Sequence, residues 1–178
     1  MALRAICTPT GFKSGILVVP CGGGKTLIGI LLCSLLPAKI LILCHNCNSV
    51  LQWKAQLVRW TCPGRRISTC TSGLQVESLE QADIVIMTYK MLSNRNAHNM
   101  YAQHWITTHV WSGIIYDEVH GTPADMVEER VLQPLQGKVK IGATATPTRE
   151  DAKFSIVKEH IGPQLCNISW MELVRQKL

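Results

Sequence analysis

Lysine and threonine directly after three glycines are residues that can hold a phosphate, and they occur here as Pro20-Cys-Gly-Gly-Gly-Lys-Thr26. Successive glycines let the backbone curl until its N–H groups converge on phosphate oxygens, and a helix opening at the lysine adds the positive end of its dipole. Lys25 can reach the outer phosphates of a nucleotide, and the Thr26 hydroxyl can ligate Mg2+. The common form of such a loop, G-x-x-x-x-G-K-[ST], places a glycine where this chain has Val19. That departure matters little, because the phosphate-facing amides of Cys21, Gly22, Gly23 and Gly24 follow it.

A phosphate loop needs an acid from a neighbouring strand to hold its metal. Gly113-Ile-Ile-Tyr-Asp-Glu-Val-His120 is an apolar run ending in two carboxylates. Asp117 is placed to hold Mg2+, and Glu118 to orient and deprotonate an attacking water. Adjacent acids at a buried strand end make poor structural sense without a cation, since unpaired buried charge is costly. A third candidate is Gly142-Ala-Thr-Ala-Thr-Pro147, whose hydroxyls could relay the state of the phosphate or simply cap the next helix.

Parallel α/β architecture is what would bring these three segments together. Short apolar, β-branched runs at Gly15–Val19, Ile40–Cys44, Ile84–Thr88, Gly113–Tyr116 and Lys138–Ala143 predict strands buried on both faces. Helical patterns at Lys25–Leu36, Val50–Trp60, Asn99–Thr108, Ala124–Leu135 and Arg149–His160 alternate with them. The alternation predicts a mostly parallel sheet with right-handed crossovers and helices on both faces. Ligands of such sheets gather at the carboxyl ends of the strands, where all three motifs fall. Residues 1–13 read as a short N-terminal extension and residues 14–178 as one nucleotide-binding domain.

Composition fits a globular chain: of 178 residues, 47% are hydrophobic and 17% charged. The apolar segments Leu27–Leu36 and Ile40–Cys44 fall short of the roughly 18–20 residues a membrane span needs, so no membrane partner is expected. Net charge is +6, and no acid precedes Glu77 while eight basic residues do. An acid-free first half suits a polyphosphate partner, whether nucleotide or nucleic acid. Eight cysteines without the spacing of a secreted scaffold imply free thiols in a reducing compartment. Cys44-His-Asn-Cys47 lacks a second short-spaced ligand pair and reads as a strand-end coincidence rather than a zinc or redox site.

The three motifs in this order, with D-E-V-H as the acidic box, resemble superfamily 2 helicases and translocases. Ser14–Thr26, Gln52-Trp-Lys-Ala-Gln56, Thr88-Tyr-Lys-Met-Leu92, Asp117-Glu-Val-His120, Thr144-Ala-Thr146, Arg149-Glu-Asp151, Ile161-Gly-Pro163 and Trp170-Met-Glu-Leu173 are similar to the XPB family, the DNA translocases of transcription factor TFIIH. The resemblance implies the first RecA-like lobe of a 3′–5′ DNA helicase, using ATP and Mg2+ in transcription initiation and nucleotide excision repair in the nucleus. It implies that Lys25 and Thr26 bind phosphate and metal and that Asp117 and Glu118 serve catalysis. By the same carry-over His120, Thr144 and Thr146 couple hydrolysis to movement, and Gln52, Thr88, Tyr89, Arg149, Glu150 and Asp151 lie near DNA. Trp53 is read first as helix packing. The implied partners are DNA, TFIIH-like subunits and a second RecA-like lobe carrying arginine fingers, without which little hydrolysis is expected. The competing reading is a truncated, non-catalytic paralogue that holds nucleotide or docks onto partners.

Overall fold

The computed structural model describes residues 2–37, 39–60, 64–70, 79–93, 100–119, 134–145 and 152–175. Its centre is a seven-stranded sheet built from β3 (Gly15–Val18), β4 (Ile40–Cys44), β5 (Ile67–Cys70), β6 (Ile84–Thr88), β8 (Gly113–Asp117), β10 (Lys140–Thr144) and β11 (Gln164–Asn167). The spatial order is β11-β3-β10-β8-β4-β6-β5, and every neighbouring pair is parallel.

Strand alternation divides the apolar side chains between two cores. Leu17, Ile40, Ile42, Ile84, Ile86 and Ile115 face α2 (Lys25–Leu35) and α3 (Cys47–Trp60), meeting Ile30, Cys33, Val50 and Leu57. Ile16, Leu41, Leu43, Val85, Met87, Ile114 and Tyr116 face the other way. There they meet residues of α4 (Tyr89–Ser93), α5 (Met100–Thr108) and α6 (Ala152–Ile161). A strand covered on both faces has no polar side to show, which is why its sequence is apolar throughout.

The five predicted strands are all present, two with the bounds expected and three with an end shifted by one or two residues. Two further strands extend the sheet at its edges. Ile-Ser-Thr-Cys in β5 and Gln-Leu-Cys-Asn in β11 are half polar and carry no long apolar run; both pair on one side only, β11 is partly exposed, and β5 buries Ser68 and Thr69 along with Cys70. The α3 helix begins at Cys47 rather than Val50, since Asn46 caps it: the Ser49 amide donates to Asn46 Oδ1 at 2.9 Å. Most of the helix expected over Ala124–Leu135 lies outside the described residues, and Leu135 itself is not helical.

The N-terminal segment set apart as an extension packs into the domain. It forms α1 (Ala2–Ile6) and a small antiparallel pair, β1 (Cys7–Thr8) with β2 (Gly11–Phe12). Ile6 is fully buried in the same core as Leu17 and Ile141. A second small parallel pair joins β7 (Val110–Trp111) to β9 (Gln136–Gly137), and the chain's last described helix is α7 (Trp170–Arg175). Among the described residues no helix is long and apolar enough to cross a membrane.

Candidate functional site

Sheet order places three strand ends side by side. The loop after β3 and the acid pair after β8 flank β10, whose residues are registered with both: Thr144 pairs with Val18 and Ala143 with Asp117. The Val19 amide donates to the Thr144 carbonyl at 2.9 Å, fastening the glycine loop to the fully buried end of β10. Thr144 is thus beside the glycine loop, whereas Thr146 and His120 lie outside the described residues.

The three glycines serve two purposes. Gly22 and Gly24 have φ of 76° and 90°, in the left-handed region that favours glycine, and a Cβ at either would point into open space. Gly23 is a packing position, where a Cβ would press on Val19, the Pro20 carbonyl and Leu173 of α7. The Gly23 amide turns back to the Pro20 carbonyl at 2.9 Å, and α2 then starts at Lys25 with no side-chain cap and no acid in its first turn. An open, uncapped N-terminus on an 11-residue helix fits an anion. Cys21 and Gly22 are exposed at the rim, and Gly24, Lys25 and Thr26 are half-buried.

Lys25 is drawn onto the acidic box. Its Nζ lies 3.2 Å from Glu118 Oε1 and 3.4 Å from the Val19 carbonyl. Glu118 holds a left-handed backbone, φ 50°, which costs a residue with a Cβ roughly 1–2 kcal/mol. The Tyr89 hydroxyl donates to the Asp117 carbonyl at 2.9 Å, and that carbonyl belongs to the peptide leading into Glu118. This bond therefore helps hold the strained plane from which Glu118 projects.

Asp117 is the electrostatic centre. Burial pushes its carboxyl up from the usual range and the neighbouring Glu118 charge adds to this, while a hydrogen bond from Trp53 and the Lys25 charge oppose it. The Trp53 Nε1–H donates to Asp117 Oδ2 at 2.9 Å. A carboxylate short of solvent and close to a second acid is suited to a cation, and Thr26 on the adjoining helix offers a neutral oxygen. The donor set of Asp117 and Thr26 fits a hard divalent ion beside a phosphate.

The Gln52 side chain is exposed on α3, but Thr88 and Tyr89 are each only 5% exposed. Their side chains face inward, a correction to their placement at a nucleic-acid surface: Tyr89 is committed to Asp117. Arg149, Glu150 and Asp151 lie outside the described residues. Trp53 packs in the helix as expected, yet its bond to Asp117 is a role that sequence reasoning missed. Cys44 is fully buried beside Asp117, and burial pushes its thiol far up, whereas Cys47 is exposed. No cluster of three His, Cys, Asp or Glu side chains suited to a metal occurs among the described residues.

A family model described as "Type III restriction enzyme, res subunit" matches residues 1–149. The helicase/translocase subunit XPB/SSL2 of general transcription and DNA repair factor IIH from Saccharomyces cerevisiae is 36% identical over 165 residues, covering 90% of this chain and 20% of the relative. The Danio rerio XPB subunit is 38% identical over 165 residues, covering 90% and 21%. The chain thus spans about a fifth of the length of the curated relatives it matches. Among solved structures, the UvsW helicase of bacteriophage T4 superposes with a TM-score of 0.70 at 17% identity, covering 86% of this chain and 54% of that one. The Pyrococcus furiosus Hef helicase domain gives 0.63 at 22% identity, covering 85% and 35%.

Proposed function

The chain belongs to the type III restriction enzyme res subunit family, with XPB-type helicase subunits as relatives along nine-tenths of its length, and on that premise we propose that it is the ATP-binding first motor lobe of an XPB-type DNA helicase or translocase. The observation that carries the reading is the meeting of Lys25 and Glu118, 3.2 Å apart, from two motifs 93 residues apart in sequence and separated by one strand in the sheet.

Each residue has a task in this reading. The amides of Cys21–Gly24 and the α2 N-terminus receive the β- and γ-phosphates, and Lys25 exchanges Glu118 for the outer phosphate oxygens. Asp117 and Thr26 hold Mg2+, which neutralises charge on the phosphates when bound. Glu118, once released by Lys25, orients the attacking water and takes its proton. Thr144, tied to the loop through Val19, passes the loop's position to the segment that follows β10. Gln52 and the basic residues of the acid-free half offer contacts to a DNA backbone. Arg149, Glu150 and Asp151 are proposed near the strands being separated, and His120 and Thr146 at the junction with a second lobe.

An arginine finger is worth about 10³–10⁵ in rate in related NTPases, so this lobe by itself should turn over slowly. The relatives' names, subunits of a general transcription and DNA repair factor, support action within a TFIIH-like assembly, and a nuclear setting is proposed with it. The test is Mg2+-dependent binding of a fluorescent ATP analogue, with Lys25→Ala as the control, followed by DNA-stimulated hydrolysis in the presence and absence of a second lobe. A wild-type chain that fails to bind the analogue refutes the reading. So does robust DNA-stimulated turnover that survives Glu118→Gln.

A further inference from the structure

We propose that Trp53 is a positioning residue for the metal-binding acid: its indole N–H holds Asp117 Oδ2 so that the other carboxylate oxygen is presented to the cation. The inference rests on the functional reading above and adds to it a residue from outside the phosphate loop and the acidic box.

Three observations meet at this side chain. Trp53 is 3% exposed, so its ring is locked by packing and cannot wander. Its Nε1 reaches Asp117 Oδ2 at 2.9 Å across 64 residues of sequence. The far edge of the same ring lies over Gly29, one turn into the phosphate-loop helix, where a Cβ would collide with it. The indole therefore touches the phosphate-loop helix and the acidic box at once. Indole nitrogen is a donor only, so it can neither compete for the cation nor take up a proton from the carboxyl. A wholly apolar side chain here would leave Oδ2 without this donor. The polar end of a tryptophan is spent on the one carboxylate that the site needs in a fixed rotamer.

Outer partners that orient a ligating carboxylate typically matter about 10–100-fold in metal affinity or activity. Trp53→Phe keeps an aromatic ring in the core and removes the donor. The expected result is that half-saturating Mg2+, read as the magnesium dependence of fluorescent ATP-analogue binding, rises about tenfold. Metal-free nucleotide affinity should stay within about twofold, because Trp53 touches no phosphate-binding group. Trp60→Phe removes an indole donor from the same helix, one that is exposed and bonds Gln56 instead of the acid, and should leave the magnesium midpoint near wild type. In the wild-type chain the Trp53 Nε1–H resonance should shift when Mg2+ and nucleotide are added together, a readout that needs no variant. An unmoved resonance, an unchanged midpoint in Trp53→Phe, or equal shifts in Trp53→Phe and Trp60→Phe would each overturn the assignment. Wild-type protein that binds no nucleotide would remove the functional reading and this assignment together.

Discussion

Gly29→Ala sets two forces against each other, and the structure decides which wins. In an exposed helix interior, exchanging glycine for alanine gains about 0.5–1 kcal/mol through lost unfolded-state freedom. At Gly29, however, the new methyl would enter the edge of the Trp53 ring, with Ile115 Cδ1 at 3.5 Å on another side. Forcing a methyl into a packed core costs about 1–3 kcal/mol. Displacing the indole also breaks its bond to a carboxylate, about 1.5–3 kcal/mol more. The net expectation is a loss of about 2–5 kcal/mol, a large part of the stability of a typical domain. In a Trp53→Phe background both penalties disappear, because the ring atoms nearest Gly29 and the N–H donor are gone. There Gly29→Ala should be neutral or stabilising by up to about 1 kcal/mol. Equilibrium urea unfolding of the four proteins, followed by far-UV circular dichroism, gives the coupling directly. Equal cost in the two backgrounds, or a gain in wild type, refutes the account of Trp53 and Gly29.

Three further expectations follow from the same geometry. Glu118→Gln frees Lys25 from its 3.2 Å partner, so nucleotide binding should stay level or tighten by up to about fivefold, since a partly exposed pair is worth at most about 1 kcal/mol. Turnover should fall to background in the same variant, and weaker binding measured by titration would count against the pairing. Asp83 is held below the usual carboxylate range, first by the Arg66 amide on its Oδ2 at 2.9 Å and then by the Arg66 guanidinium. A lowered carboxyl stabilises the fold above its unfolded value and loses that contribution as pH falls through the folded one. The Tm deficit of Asp83→Asn, clear at pH 7, should therefore shrink below about pH 4, and a pH-independent deficit would contradict this. Thiol-reagent kinetics should divide the cysteines: exposed Cys21 and Cys47 react first, with ATP protecting Cys21. Cys33 and Cys70, buried and pushed up to about 12 and about 11, should stay closed until unfolding, and rapid labelling of either would contradict the packing.

What could be read along the chain was whatever depends on near neighbours. The five central strands declare themselves because burial on both faces demands unbroken apolar runs, while β5 and β11 escape notice because each is four residues long and half polar. The glycine loop is legible for a similar reason: its conformation and its opening helix are set within seven residues. Even there one glycine changes meaning, since Gly23 answers to Leu173, 150 residues on, rather than to backbone conformation. Thr88 and Tyr89 show the opposite failure, in which a motif suggests a surface and packing turns its tyrosine inward onto Asp117.

Sequence by itself determined the α/β alternation, the glycine loop, the acid pair and the strand ends that carry them, because strand periodicity and loop conformation are local. Only the tertiary structure decided that β10 sits between the loop and the acids, that Lys25 rests on Glu118, and that Trp53 and Tyr89 grip Asp117 from two sides. The side-chain contacts among them join residues 28 to 93 positions apart. A hydrogen bond of that span leaves no periodicity in the chain; it exists once a parallel sheet has brought distant strand ends within reach of one another.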